Sequence, residues 1–183
     1  MACDTLTRGR QEPCKNSVGG IKNIYFTDFG DFGTVTLTDD EITDMGGTFT
    51  AFKYEVKGNS SLEQTVNSSR ENGTTFYEQT LNLTLKKLSK EDNKELKLLA
   101  YGRPHVAVED YNGNVMVVGL EHGADVSGGT VVTGAAMGDL SGYTLTLTGM
   151  ETKPANFVAS PTSADPYAGM SSATVTVTSG SDW

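Results

Sequence analysis

The feature that most constrains this chain is a run of strict two-residue alternation between Tyr77 and Lys87. Tyr77, Gln79, Leu81, Leu83 and Leu85 fall on one side, and Glu78, Thr80, Asn82, Thr84 and Lys86 on the other. A period of two places one set on a core and the other in water, as a half-buried β-strand requires; a helical period would mix them. The preceding turn, Glu71-Asn-Gly-Thr74, contains an Asn72-Gly73 pair able to take the positive φ angles of a tight hairpin. The segment Leu62–Ser68 is therefore predicted to be the partner strand.

The rest of the chain extends this β reading. Ile21–Asp28 is rich in β-branched and aromatic residues, and Gly30 and Gly33 separate it from Thr34–Thr38, which predicts two strands joined by a short turn. The acidic stretch Asp39–Asp44, closed by Gly46-Gly47, reads as a loop before a strand at Phe49–Lys57. His105–Asp110 and Asn114–Gly119 flank Tyr111-Asn-Gly113, a second hairpin signal, and Tyr143–Thr148 alternates apolar residues with threonines. Between the hairpins, Ser89 is placed to cap a helix over Lys90–Tyr101, with Asp92 at its third position and Gly102 and Pro104 marking its end. Leu96, Leu99 and Ala100 share one face of that helix, which should lie on the sheet, while Lys90, Lys94 and Lys97 face solvent. A glycine-rich segment runs from Glu121 to Gly138. The 21 glycines, a charged fraction of 20% and many Thr and Val residues agree with short strands and turns rather than helices.

A chain of 183 residues makes one core with appendages. Residues 1–18 are polar and aperiodic and read as an N-terminal arm; residues 19–158 form the domain. Residues 159–183 hold Pro161 and Pro166 among small residues and end in a Thr-Val segment, Ala173–Thr178. They read as an extension beyond the domain, either docking on a neighbouring subunit as an added strand or moving freely.

Fourteen basic against 23 acidic residues give a net charge of −9, which opposes stable binding to a nucleic-acid backbone. The charge is uneven, since residues 104–183 carry Lys153 alone against eight acids. The opening MACDTLTRGR has no apolar run of a secretory signal and no stretch is long enough to span a bilayer, so the expectation is synthesis and retention in the cytoplasm of the producing cell, without membrane binding. In that setting Cys3 and Cys14 are expected to be reduced thiols, and the Asn-x-Ser/Thr matches at Asn59, Asn67, Asn72 and Asn82 ordinary strand and turn composition.

The search for chemistry is mostly negative. The two histidines, His105 and His122, stand outside any HExxH, and CxxC, GxSxG and GxxxxGK patterns are absent. Asp39, Asp40, Glu41 and Asp44 lack the fixed offsets of an EF-hand and read as a solvated loop. Glu109 and Asp110 are adjacent in a strand, so they point to opposite faces and cannot flank one glycosidic bond. Gly123–Gly129 precedes no helix and so lacks the dipole that would hold a phosphate, which leaves a flexible loop at a subunit contact as its reading. No catalytic residue, cofactor or metal ligand is expected, and the chain is not read as an enzyme.

Five motifs in order carry a family resemblance: Gly19-Gly-Ile-Lys-Asn-Ile-Tyr25, Gly73-Thr-Thr-Phe-Tyr-Glu-Gln-Thr-Leu-Asn-Leu83, the helix closing on Leu98-Leu-Ala-Tyr-Gly102, Val106-Ala-Val-Glu-Asp-Tyr-Asn-Gly-Asn114 and Gly138-Asp-Leu-Ser-Gly-Tyr-Thr-Leu-Thr-Leu-Thr-Gly149. Together they resemble tail tube proteins of phages and prophages of Bacteroidetes-type hosts, over roughly residues 14–158. The resemblance implies a mainly β fold, a two-sheet antiparallel β-sandwich with one flanking helix, joined to copies of itself in hexameric rings that stack into a hollow tube with a continuous inner β-barrel. It implies a virion protein that contacts other tail proteins, namely tape measure, tail terminator, and baseplate or sheath, and meets DNA only in transit, without sequence preference. Glu78, Thr80, Asn82 and Thr84 are then candidates for the lumen wall, where an acidic and hydroxylated surface lets phosphates slide past; Lys86 would have to sit near a rim or pair with an acid. The same face could equally form the outer surface of the tube.

Two other classes compete. A head-decoration protein or a neck (head–tail connector) protein would share the β architecture but form trimers or a single ring. A carbohydrate-binding β-sandwich for host attachment would need exposed aromatic platforms, and the one tryptophan, Trp183, is terminal.

Overall fold

The computed structural model describes residues 8–180. Among them the chain forms strands β1 (Ile21–Thr27), β2 (Val35–Thr38), β3 (Glu41–Met45), β4 (Gly47–Glu55), β5 (Ser61–Ser69) and β6 (Thr74–Lys86), helix α1 (Lys90–Tyr101), then β7 (His105–Asp110), β8 (Val115–Val118), β9 (Asp125–Val132), β10 (Gly142–Glu151), β11 (Asn156–Val158) and β12 (Ala173–Ser179). Eight strands make one sheet in the order β12-β4-β1-β7-β8-β11-β3-β2, and four make a second in the order β5-β6-β10-β9.

The two sheets pack face to face. Ile24, Phe26, Val106, Val108 and Val118 from the large sheet meet Leu81, Leu83, Leu85, Tyr143 and Leu147 from the small one in a single buried cluster. The alternation in β6 is observed as predicted, with Gln79, Leu81, Leu83 and Leu85 buried and the intervening residues exposed or partly so. Burying each of these leucines stabilises the fold by about 1.5–3 kcal/mol.

The large sheet is covered on its other face too, by a second cluster in which Tyr25, Phe49, Ala51, Ala107 and Val117 pack beneath Tyr167 and Met170. Three layers result, and this explains β1: nearly every residue of Ile21–Thr27 is buried because the strand is sandwiched from both sides. The segment expected to extend beyond the domain is thus part of it. Tyr167 and Met170 plug the second core, and β12 pairs in parallel with β4 along its whole length. Asp44 fastens the approach to β12, accepting hydrogen bonds from Ser172 Oγ at 2.6 Å, Ser172 N at 3.0 Å and Ser171 Oγ at 3.2 Å. These bonds, led by that of the Ser172 hydroxyl, hold its carboxyl down at about 2.

Other expectations change. The acidic stretch is a strand, β3, rather than a loop, because Ile42 and Met45 are needed in the second core. The sequence Ile21–Thr38 holds two strands that do not pair with each other; β1 is third from one edge and β2 is the opposite edge. The fold is mostly antiparallel but not wholly so, since β12–β4 and β11–β3 are parallel, pairings that only long crossovers allow. Gly123–Gly129 is not a free loop either: Asp125–Val132 is β9, hydrogen-bonded along β10.

The helix forms over the predicted residues. Ser89 Oγ accepts from Asp92 N at 2.9 Å, and Gly102 N donates to Leu98 O and Leu99 O at the other end. Leu96 is buried and Leu99 partly so, but Ala100 is exposed, which narrows the packed face to one turn. The arm, residues 8–18, lies outside every element and is exposed throughout.

Candidate functional site

The outer face of the small sheet collects the residues singled out from the sequence. Register places Thr144, Thr146, Thr148 and Met150 of β10 opposite Thr84, Asn82, Thr80 and Glu78 of β6, and Ser61, Glu63 and Thr65 of β5 opposite Asn82, Thr80 and Glu78. On the far side, Thr130 and Asp125 of β9 lie opposite Thr144 and Thr148. Glu78, Thr80, Asn82 and Thr84 therefore share one face, turned away from the core, at the centre of a surface built mainly of hydroxyls.

The hydroxyls are tied to one another across the strands. Thr130 and Thr144 Oγ1 atoms are 2.6 Å apart, Ser127 Oγ and Thr148 Oγ1 3.0 Å, and Thr146 Oγ1 donates to Asn82 Oδ1 at 2.9 Å. Thr84 Oγ1 donates to Asn59 O at 3.0 Å, and Glu78 accepts from Asn67 Nδ2 at 3.4 Å. Such pairs hold side chains in one rotamer, so the face is ordered as well as polar. Its charges are Glu63, Glu78 and Asp125, with Lys86 at the end of β6, where its Nζ donates to Lys57 O at 3.0 Å.

Among the described residues neither edge of this sheet is paired with a further strand. The outermost strands β5 and β9 each have a partner on one side only. Neither contains proline or lysine, though β9 carries a bulge opposite Thr146/Leu147 and each strand one acid, Glu63 or Asp125. In β9 the backbone rides close on β10: a side chain at Gly129 would meet Thr144 O at 2.6 Å.

Comparisons with family models, curated proteins and solved structures return no match.

The remaining candidates are scattered and mostly committed to the fold. His105 is buried between Phe32, stacked at 4.3 Å, and Phe29 at 5.0 Å. Its Nδ1 donates to Gly119 O at 2.6 Å and its Nε2 accepts from Gly30 N at 3.3 Å, so both nitrogens are engaged in the neutral ring. Burial is the main cause that lowers its pKa. Glu109 and Asp110 do part company as the alternation requires. Glu109 is buried and accepts from Lys22 Nζ at 2.8 Å, Asn23 Nδ2 at 2.6 Å and Tyr25 OH at 3.0 Å; burial pushes its carboxyl up, and these three donors together pull it below its ordinary value. Asp110 organises the β7–β8 turn through Asn112 and Asn114.

Glu151, which sequence reasoning passed over, is buried at the end of β10. Its Oε1 accepts from the N–H groups of Glu121 and His122, and Oε2 lies 3.0 Å from His122 Nδ1. The glycine-rich turn makes this nest possible, since Gly119 has φ +66° and a side chain there would collide with Gly123. Glu121, His122 and Glu151 bring ligand atoms within 4.8 Å of one another. Asp39, Asp40 and Glu41 stay exposed at the β2–β3 turn, separated in role from Asp44. Cys14 is exposed, and Cys3 and Trp183 lie outside the described residues. Among the described residues no helix is long and apolar enough to cross a membrane.

Proposed function

We propose that this chain is a structural subunit of a phage tail tube, in which copies join edge to edge into a ring of six and the rings stack around a channel for DNA. The observation that carries the reading is the small sheet: four strands, all antiparallel, with two bare edges and a polar outer face. Because the number of strands is even, β5 and β9 run in opposite directions. Copies related by rotation about one axis would therefore set β9 of one against β5 of the next in antiparallel pairing, and the sheet would close without a break in its alternation. Closure removes both edges at once. Six such sheets, at about 4.8 Å between strands and a tilt of about 40°, make a barrel roughly 48 Å across at the backbone and a bore of roughly 35–40 Å within the side chains, wide enough for a duplex.

In that arrangement Glu78, Thr80, Asn82 and Thr84 line the lumen. A wall of threonines with Glu63, Glu78 and Asp125 offers no fixed cation to a passing phosphate, so DNA is repelled weakly and slides. Lys86 stands at the strand end, a rim position, with its ammonium held by a backbone carbonyl. The five sequence motifs support the same reading from a different side.

Negative-stain electron microscopy of the purified chain tests the proposal. Stacked rings or tubes with an open channel are expected; a stable monomer at high concentration would overturn it.

A further inference from the structure

A groove of about 690 Å³ lies beside the β5 edge of the small sheet, lined by Val115, Met116, Ala155 and Phe157 together with Gln64 of β5 and the acids Asp39, Asp40 and Glu41. No lysine, arginine or histidine lines it. Three successive carboxylates at the mouth of an apolar groove, with no cation among the lining residues, form a surface that lacks its complement. Phe157 on the floor is half exposed.

The complement is present elsewhere in the chain. Residues 8–18 carry Arg8, Arg10 and Lys15 against Glu12, a local balance of three positive to one negative, on a protein whose net charge is −9. Every residue of this arm is exposed, and the backbone hydrogen bond from Asn16 to Cys14 stays within it. Its root is fixed, because Val18 N donates to Asn112 Oδ1 and Asn112 Nδ2 donates to Val18 O. Asn112 adjoins Gly113 and Asn114, which form one lip of the groove. The arm thus leaves the body beside an acidic groove of its own chain, and among the described residues none of 8–18 lines it. Ten residues reach about 33 Å when extended.

We infer that the acidic groove is the docking site for the basic arm of a second copy, a contact between subunits that adjoins the β5 side of the β5–β9 seam. The inference rests on the assembly reading above and names a partner for a surface which that reading leaves bare. Apolar contact on Met116 and Phe157 would give the arm its register, and Arg8, Arg10 and Lys15 would meet the carboxylates of the rim.

A photo-crosslinking residue placed at Gln11 of the full chain, in an equal mixture of ¹⁴N- and ¹⁵N-labelled protein, tests this. Crosslinked peptides should join the arm of one label to residues 113–116 or 154–158 of the other. Combining Arg8→Glu with Arg10→Glu should cut the interchain yield about tenfold, and Glu41→Lys with Asp39→Asn and Asp40→Asn should do the same. Both sets in one chain should restore much of it. Crosslinks confined to one label, crosslinks to other surfaces, or yields that ignore the charge changes would overturn the inference. Microscopy of the same wild-type sample separates the two claims: rings without the arm-to-groove crosslink leave the tube reading standing and remove this one, while the crosslink in particles that never form rings does the reverse.

Discussion

The two sheets of this protein are treated differently by the rest of the chain. The eight-stranded sheet is buried on both faces, by the small sheet on one side and by Tyr167, Met170 and the segment around them on the other. The four-stranded sheet is buried on one face, polar on the other and bare at both edges. The first can be understood from one molecule: its residues hold the fold together. The second keeps one ordered polar face in solvent, as an antiparallel sheet can, and it is this face and its edges that the proposed assembly would use.

The contrast gives a ranked set of expectations. The largest effect belongs to the shared core. Leu83→Ala or Phe26→Ala should lower the unfolding free energy by about 2–5 kcal/mol, read by urea denaturation, whichever sheet contributes the residue. A cost below 1 kcal/mol for Leu83→Ala would mean that the sheets are not packed as described.

Next comes the buried carboxylate of the large sheet. Glu109→Ala strands Asn23 and Tyr25 without an acceptor and should cost about 1–3 kcal/mol. Because its folded pKa lies below the ordinary value, its contribution is present above that value and fades as pH falls through the folded pKa, so the gap between wild type and variant should narrow in acid.

His105 sharpens the comparison on a different pH range. It is held neutral in the fold with its pKa lowered, so the unfolded chain binds the proton more readily. Its contribution is therefore intact above about 6.5 and is lost as pH falls below it. Stability measured from pH 7.5 to 5 should decline in wild type and decline less in His105→Gln. Parallel curves for the two proteins would remove His105 from the account.

The smallest effect on folding belongs to the outer face of the small sheet. Thr80→Ala and Glu78→Gln should change stability by no more than about 0.5–1 kcal/mol, because only cross-strand pairs are lost. Pairing Glu78→Lys with Asn82→Lys should leave the fold intact and make assembled particles retain DNA in a salt-dependent way in a co-sedimentation assay.

Much of this architecture was legible in the sequence, for physical reasons that also explain the misses. The β6 alternation, the two hairpins and the Ser89-capped helix are local signals and each forms, but the hairpin loops are longer than a two-residue turn, and Gly73 and Gly113 take positive φ while Asn72 and Asn112 do not. β3 was not legible because its core residues, Ile42 and Met45, are three apart across a register shift at Thr36/Leu37, which spoils a period of two. β9 is held by its ladder to β10 more than by side chains, so Ser127-Gly-Gly129 gives no pattern to read. Tyr167 and Met170 are isolated anchors in a proline-rich stretch, and nothing local marks them as core. Of the surface residues, the shared face of Glu78, Thr80, Asn82 and Thr84 follows from alternation alone. The bare edges beside it depend on which strands pair, and the buried acids Glu109 and Glu151 depend on what covers them; both are long-range facts.

The central claim is that the bare edges of the small sheet join copies, and image reconstruction of the assembled protein by cryo-electron microscopy tests it most directly. The account predicts a ring in which β9 of each copy lies antiparallel to β5 of the next, with Glu78, Thr80, Asn82 and Thr84 facing the bore. A ring closed through the large sheet, or one with that face turned outward, would contradict it.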